Sequence, residues 1–436
     1  MEDEIPFEVP EGWAWCKLND IYNFIDYRGA TPTKITNGIP LVTAKNVKSG
    51  YIDYTIDDYI SEEEFKERQQ RGISKKGDIL FTTEAPLGNA ALADMEKFSA
   101  GQRLITFQQY GSKNELINYV MLMFILSDFF QQQLYVNKTG STVAGIKAAI
   151  LKTLWIPVPP YNEQLRISNT LKSAINLIDS ISKNKEILST SISNTKSKIL
   201  DLAIRGKIVP QDPNDEPASV LLERIRAEKE ELIKQGKIKR DKKESVIFKG
   251  DDNSYYGIHL PDSWNWASLR EIALSISDGS HNPPPNNGSG IPLLSAANIN
   301  DNSILMNEIS RWITNEEWKI ENQRTNIEVG DVLLTIVGSI GRSAVVQNNN
   351  HFALQRSVAV IKPCLINPLY LMHIVQSPQI QKWLTDNSKG TAQKGIYLNA
   401  LSLMIIPIPP LAEQARIVEL IHIAYKQLDL ISNALL

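Results

Sequence analysis

The feature that most constrains this chain is that it says nearly everything twice. Glu11-Gly12-Trp13-Ala14-Trp15-Cys16-Lys17-Leu18 returns as Asp262-Ser263-Trp264-Asn265-Trp266-Ala267-Ser268-Leu269, with Trp13 and Trp264 251 positions apart. Near the far end of each copy, Ile156-Pro157-Val158-Pro159-Pro160 returns as Ile406-Pro407-Ile408-Pro409-Pro410, 250 positions on. A nearly constant offset across a whole unit predicts one fold used twice, each copy followed by a helical segment. Such a chain is expected to carry internal pseudo-twofold symmetry, the geometry suited to gripping two sites on a DNA duplex.

Between the anchors the copies stay in step. Gly38-Ile39-Pro40-Leu41 matches Gly290-Ile291-Pro292-Leu293, and Gly77-Asp78-Ile79-Leu80-Phe81-Thr82 matches Gly330-Asp331-Val332-Leu333-Leu334-Thr335. Gly-Asp ahead of an apolar, β-rich run reads as a turn feeding a buried strand. Gly88 aligns with Gly341 and Gln102-Arg103 with Gln355-Arg356. One mostly apolar helix follows in each copy, over 116–135 and 368–384. Strands and helices mixed in this order predict an α+β domain of about 150 residues.

After Pro160 the pattern changes. Glu163 to Arg205 holds no Gly and no Pro. One heptad row is Leu171, Ile178, Ile192 and Ile199; the other is Ala174, Ile181, Leu188 and Leu202, with Lys185 and Thr195 interrupting. This is the seam of a helix that packs along another helix, ended by Gly206 and Pro210. The second copy repeats the phase with Ile421, Ala424, Leu428, Ile431 and Leu435, and its helix has about twenty residues fewer than the first. The intervening segment opens a charged helix at Leu221 and carries a basic run from Lys237 to Lys243, which reads first as a solvated face or linker. The expected layout is a first domain over 1–160, a spacer helix over 161–209, a charged helix and linker over 210–254, a second domain over 255–410 and a short spacer helix over 411–436.

Charge follows the same division. Residues 1–160 hold 16 Lys/Arg against 20 Asp/Glu, 161–250 hold 18 against 13, and 251–436 hold 12 against 16. The middle is basic and the duplicated domains mildly acidic, so any phosphate-binding cations must be clustered on one face of each domain. The 2 cysteines, Cys16 and Cys364, argue against a disulfide framework and suit a reducing, cytoplasmic setting. The acidic first residues lack the apolar core of a secretion signal, and the apolar stretch 116–130 is too short for a bilayer. No complete catalytic set is found. Asn282-Pro283-Pro284-Pro285 lacks the aromatic that an adenine methyltransferase stacks on a flipped base, Gly338-Ser339-Ile340-Gly341 lacks the Lys-Ser/Thr of a phosphate loop, and His and Cys show no metal spacing. His373 and His422 fall in helical patterns and read as packing or surface residues.

These residues together resemble the specificity (S) subunit of a Type I restriction-modification system, across essentially the whole chain. The resemblance rests on two domains each followed by a long helix. It rests also on the junction signature Pro157-Val158-Pro159-Pro160-Tyr161-Asn162-Glu163-Gln164-Leu165-Arg166-Ile167, repeated as Pro407-Ile408-Pro409-Pro410-Leu411-Ala412-Glu413-Gln414-Ala415-Arg416-Ile417. Paired prolines stop a strand, and Glu-Gln in the first turn suits the positive end of the helix dipole. The resemblance implies a non-catalytic reader of a bipartite site in double-stranded DNA, with two target-recognition domains on an antiparallel coiled-coil spacer. It implies two methyltransferase (M) subunits and motor-nuclease (R) subunits as partners. Cofactors are expected only in those partners, as S-adenosylmethionine, ATP and Mg. The alternatives are a coiled-coil scaffold that binds proteins, or a truncated or phase-variable specificity subunit that dimerises. If 161–186 lies against 411–436, the 26-residue overlap spans about 39 Å, close to one turn of B-DNA.

Candidate DNA contacts are polar or basic residues in loops at matched positions. In the first copy they are Arg28, Thr31, Lys34, Lys45, Asn46, Gln102, Arg103, Lys138, Thr139, Ser141, Thr142 and Lys147. In the second they are His281, Asn282, Asn298, Arg342, Gln355, Arg356, Lys389, Thr391, Gln393 and Lys394. Arg suits guanine and Asn or Gln adenine, whereas Lys, Ser and Thr more often hold phosphates. The stretches around Gly140 and Gly390, with Lys147 and Lys394, are the favoured group, because glycine lets backbone amides approach phosphate. Spacer packing is assigned to Leu171, Ile178, Ile181, Leu188, Ile192, Ile421, Leu428 and Ile431.

Overall fold

The computed structural model describes residues 6–27, 31–55, 57–110, 116–140, 144–240, 255–390 and 394–434. The chain divides into two compact units, Met1–Ser182 and Lys183–Leu436. Each unit contains one head, and the two heads share a topology.

In the first unit the two sequence anchors pair with each other. Strand Ala14–Lys17 runs antiparallel to Trp155–Val158, with Trp15 opposite Pro157. A two-stranded ribbon is where proline does least harm, because half of its donors face no partner strand. The central sheet is antiparallel in the order Tyr22–Asp26, Leu104–Gln109, Ile79–Thr83, Leu87–Leu92. All five residues of Ile79–Thr83 are buried, as the Gly-Asp signal predicts. A smaller sheet sets Ile39–Val42 between Tyr59–Ile60 and, in parallel, Ser99–Ala100. The second unit repeats this. Asn265–Ser268 pairs with Ile405–Ile408, and the central sheet runs Ala273–Asp278, Val358–Pro363, Val332–Thr335, Ser343–Val345. Ile291–Leu294 sits between Trp312–Ile313 and Ala353–Leu354.

The single apolar helix expected in each copy is two helices. They are Asn118–Ile125 and Asp128–Val136 in the first head, Pro368–Val375 and Pro378–Asp386 in the second. Ser127 caps the break in one by accepting from Phe130 N, and Pro378 starts the new helix in the other, where its missing N–H is not needed. The break makes room for a clasp. Gln131 Nε2 donates to Gly88 O at 3.0 Å and Ile125 O at 2.8 Å, and Gln381 Nε2 donates to Gly341 O at 2.9 Å and Val375 O at 2.8 Å. Gly88 and Gly341 hold φ of +90° and +99°, a conformation that favours glycine, and a Cβ added at Gly341 would also crowd the Gln381 amide.

The junction signature is also explained. Gln164 is buried; its Nε2 donates to Pro159 O at 2.9 Å and its Oε1 accepts from Ile117 N at 2.8 Å. Gln414 does the same with Pro409 O at 3.1 Å and Asn367 N at 2.9 Å. This glutamine latches the first turn of each long helix to the start of the apolar helix, a role beyond the dipole match expected of Glu-Gln.

The long helix runs Tyr161–Ile204 and stops at Gly206, which has φ +65°. The charged helix is Ala218–Lys234, and the terminal helix Leu411–Asn433. Within the second unit the terminal helix lies along the C-terminal end of the long helix. Lys196 reaches Asp429 at 2.5 Å, the Tyr425 hydroxyl donates to Lys196 O at 3.2 Å, and Leu200, Ala203 and Ile204 share a core with Ile417 and Ile421. Asp201 is gripped there by Lys198, Arg205 and Gln379; burial alone would raise its carboxyl, but these donors hold it down to about 2.

Within the second unit, the stretch that packs on the terminal helix includes Lys196, Leu200, Ala203 and Ile204. Of the assigned seam residues, Ile192 and Ile421 are buried and Leu171 and Leu428 half-buried, but Ile178, Ile181, Leu188 and Ile431 are exposed. A heptad row marks a face able to pack; it does not say over what length a facing helix is supplied.

Candidate nucleic-acid interface

In the second head, three sequence groups that are far apart converge. His281, Arg356 and Lys389 line one cavity of about 570 Å³, with Arg324, Val337, Tyr397 and Asn399. The chain reaches it in three places. Asp278 ends a central strand, and His281 Nε2 lies 2.8 Å from its carboxylate. Arg356 follows the short strand Ala353–Leu354, and its N donates to Ser280 O at 2.9 Å. Lys389 opens a hairpin that closes on Gly395 through two backbone hydrogen bonds, of 2.8 and 2.9 Å. Arg324, at the end of helix Asn315–Thr325, donates through Nε to Asp278 O at 2.9 Å and pairs with the Asp278 carboxylate. Arg356 and Lys389 make no ion pair among the described residues, and Tyr397 is 70% exposed. The result is an open recess with one buried carboxylate, held by Arg324 and the His281 ring, and two side chains, Arg356 and Lys389, that make no ion pair among the described residues. Its chemistry suits an anionic ligand that also presents flat or hydrogen-bonding edges.

The equivalent positions of the first head are built alike but filled differently. Arg71 Nη1 donates to Asp26 O at 3.4 Å, as Arg324 does to Asp278 O. The Thr139–Gly145 hairpin matches Lys389–Gly395, with bonds of 2.7 and 3.0 Å. Arg103 is exposed at φ +65°, and its Nε lies 3.0 Å from Glu84, where the second head has Val337. Lys147 precedes helix Ala148–Leu151 where Tyr397 precedes Leu398–Ser402. Lys147 therefore pairs with Tyr397 across the copies, and not with Lys394 as the composition of the two loops suggests.

The remaining candidates are scattered. Asn46 and Asn298 are buried turn braces. Asn46 Oδ1 accepts from Thr43 N and its Nδ2 donates to Asp53 O; Asn298 Oδ1 accepts from Ser295 N and its Nδ2 donates to Glu308 O. Their side-chain hydrogen bonds are spent inside their own loops. Thr31 accepts from Gln102, Lys34 pairs with Asp58 at 2.6 Å, and Lys138 lies 3.5 Å over the Tyr135 ring. Lys45, Asn282, Arg342 and Lys394 are exposed, and Gln355 is half-buried beside Arg356. Arg28, Ser141, Thr142, Thr391 and Gln393 lie outside the described residues.

Arg324 and Tyr397 escaped the sequence reading. The signal for the arginine was present, since Gln70-Arg71 and Gln323-Arg324 recur 253 positions apart, but the pair lies in a charged helix and reads as a solvated face. The Asn-Pro-Pro-Pro stretch is a strut, with Pro284 O accepting from Arg311 at 2.7 Å, and the Gly338–Gly341 turn closes through Gly341 N to Thr335 O at 2.9 Å. Among the described residues no cluster of three or more His, Cys, Asp or Glu is placed to hold a metal, and no helix is long and apolar enough to cross a membrane.

Residues 10–189 and 261–435 match the family model of the Type I restriction modification DNA specificity domain. The chain is 23% identical over 434 residues to the Type I restriction enzyme EcoBI specificity subunit of Escherichia coli, covering 98% of this chain and 82% of that protein. It is 26% identical to the EcoEI specificity subunit of the same species, over 100% of this chain and 81% of the relative. Among solved structures, one concerned with complex assembly and conformational transition of the type I R-M system superposes at TM-score 0.61 with 18% identity, over 99% of this chain and 94% of that one. The HsdS subunit from Thermoanaerobacter tengcongensis superposes at 0.53, also with 18% identity, over 98% and 93%. Both likenesses are to the fold.

Proposed function

Because the chain belongs to the family of Type I restriction-modification DNA specificity domains, we propose that its two heads each take one half of a bipartite site in duplex DNA. In this reading the cavity of the second head is the base-reading groove. The observation that carries it is the convergence of His281, Arg324, Arg356 and Lys389, drawn from four separate segments, on one open recess. Arg356 makes no ion pair among the described residues and can address a guanine edge, Lys389 suits a phosphate, and exposed Tyr397 offers a stacking or sugar contact. In the first head, Arg71, Arg103 and Lys147 take the corresponding places, with Glu84 as a selective acceptor for a cytosine amino group.

In this reading, which follows from the family, the chain acts by choosing the site while partners perform chemistry. Two methyltransferase subunits would use S-adenosylmethionine, and motor-nuclease subunits would use ATP and Mg. The test is binding by the assembled complex. Arg356→Ala should weaken affinity for the target with little effect on nonspecific duplex. Equal loss on both DNAs would make Arg356 a phosphate contact and refute its reading role.

A further inference from the structure

The junction between head and helix is covered in the second unit and bare in the first. Trp264, Ile272, Ile408, Pro410, Glu413 and Ile417 are all buried. Their counterparts Trp13, Ile21, Val158, Glu163 and Ile167 are only half-buried, and Pro160 is exposed. The cover on the second unit is the segment that follows the long helix. Gln211 Nε2 donates to Glu413, whose other oxygen accepts from Trp264 Nε1 at 2.9 Å. Asp215 holds Arg416 through both carboxylate oxygens, and Ala218 N donates to Ser263 O at 2.9 Å. Helix Ala218–Lys234 then buries Leu221, Leu222 and Ile225 in the head's core, and Lys229 caps the carbonyls of Arg270 and Ala273 at 2.8 and 2.9 Å.

The first unit keeps the receptor half of this arrangement. Among the described residues Trp13 Nε1 is buried with no hydrogen-bond partner, although Trp264 Nε1 has one. Arg166 and Glu163, the counterparts of Arg416 and Glu413, make no side-chain bond or ion pair among the described residues, and Arg166 is exposed. A buried orphan donor, a free acid, a free arginine and an under-covered apolar face occur together, at the spot where the duplicate copy is strapped. An unsatisfied buried donor is costly, so a chain that retains one here retains a site for the missing acceptor.

We propose that the junction of the first head is a docking site for a strap-and-helix segment with the chemistry of 206–234, carried by another polypeptide. Its glutamine would meet Glu163 and complete the bridge to Trp13, its aspartate four residues on would grip Arg166, and its amphipathic helix would cover Ile21. This site is separate from the DNA groove and stands or falls without it.

The experiment is fluorescence anisotropy of a labelled synthetic peptide of residues 206–234 against the full chain, without DNA. Saturable binding of one peptide per chain is expected. Arg166→Glu should weaken it about tenfold or more, the loss of a charge-assisted bidentate contact. A peptide carrying Asp215→Lys should bind the Arg166→Glu chain more tightly than the unaltered peptide does. Absence of saturable binding, or binding indifferent to Arg166→Glu, would overturn the proposal; the latter would mean displacement of the strap already on the second head.

Discussion

The two heads share strand order, latch and clasp, yet differ in what fills the groove and what covers the junction. Arg103 is tied to Glu84; Arg356 lines a cavity with Val337 and makes no ion pair among the described residues. Among the described residues Trp13 lacks the acceptor that Trp264 has. The framework that repeats is set by hydrogen bonds to backbone, which tolerate almost any neighbouring side chain. The differences sit on the loops that this framework presents. A duplicated fold can therefore keep its geometry while its two halves come to prefer different ligands.

The largest effect should come from the part the heads share. Gln164→Ala and Gln414→Ala each leave a buried N–H and a buried carbonyl without a partner, which costs roughly 2–5 kcal/mol for the pair of lost bonds. Thermal unfolding should register both substitutions alike. A large drop for one and none for the other would break the equivalence of the junctions.

Acid should separate the units next. His373 is buried beside Tyr425, where the first head has Met123. Burial, opposed by a hydrogen bond with Gln376 and reinforced by His422, lowers its pKa from 6.5 to about 4. The unfolded chain therefore takes up this proton first. The stability that neutral His373 allows is complete above about pH 6.5 and is lost as pH falls toward 4, by up to roughly 3 kcal/mol. His373→Phe should flatten that slope. A slope unchanged by the substitution would place the acid sensitivity elsewhere.

Smaller effects concern the grooves. Arg356→Ala should cost about 1–3 kcal/mol of discrimination in the assembled complex, whereas Arg103→Ala should cost less, because Arg103 already spends its charge on Glu84. Lys389→Ala should weaken binding evenly across sequences and reduce the slope of log affinity against log salt by about 1. An unchanged slope would remove Lys389 from the phosphate contacts.

Much of the fold was legible because its anchors are chemically distinctive. Trp-x-Trp and Pro-x-Pro-Pro lie at opposite ends of each copy and turn out to be paired strands, and the Gly-free, Pro-free run is one helix of 44 residues. The split of the apolar helix was not legible, since apolar periodicity continues through Ser127 and Ser377 while the chain turns. Within the second unit the extent of the seam was not legible, because Leu188 carries the right residue type whether or not a facing helix reaches it, and it is exposed. In the groove, matched polar loops located His281, Arg356 and Lys389, but the same rule selected Asn46 and Asn298. Residue type does not reveal whether an asparagine points outward or back into its own turn. Tyr397 was missed because it replaces a lysine, so that similarity between the copies worked against it.

In the proposed function each head reads its own half-site through its own groove. The most direct measurement is the recognised sequence of the assembled modification complex, determined by mapping methylated adenines, for the natural chain and for Val337→Glu. That substitution places beside Arg356 the carboxylate that Glu84 gives Arg103. The expected result is a change or relaxation confined to one half of the bipartite sequence, with the other half and the spacing between them unaltered. Alteration of both halves together, or an unchanged sequence with binding intact, would contradict it.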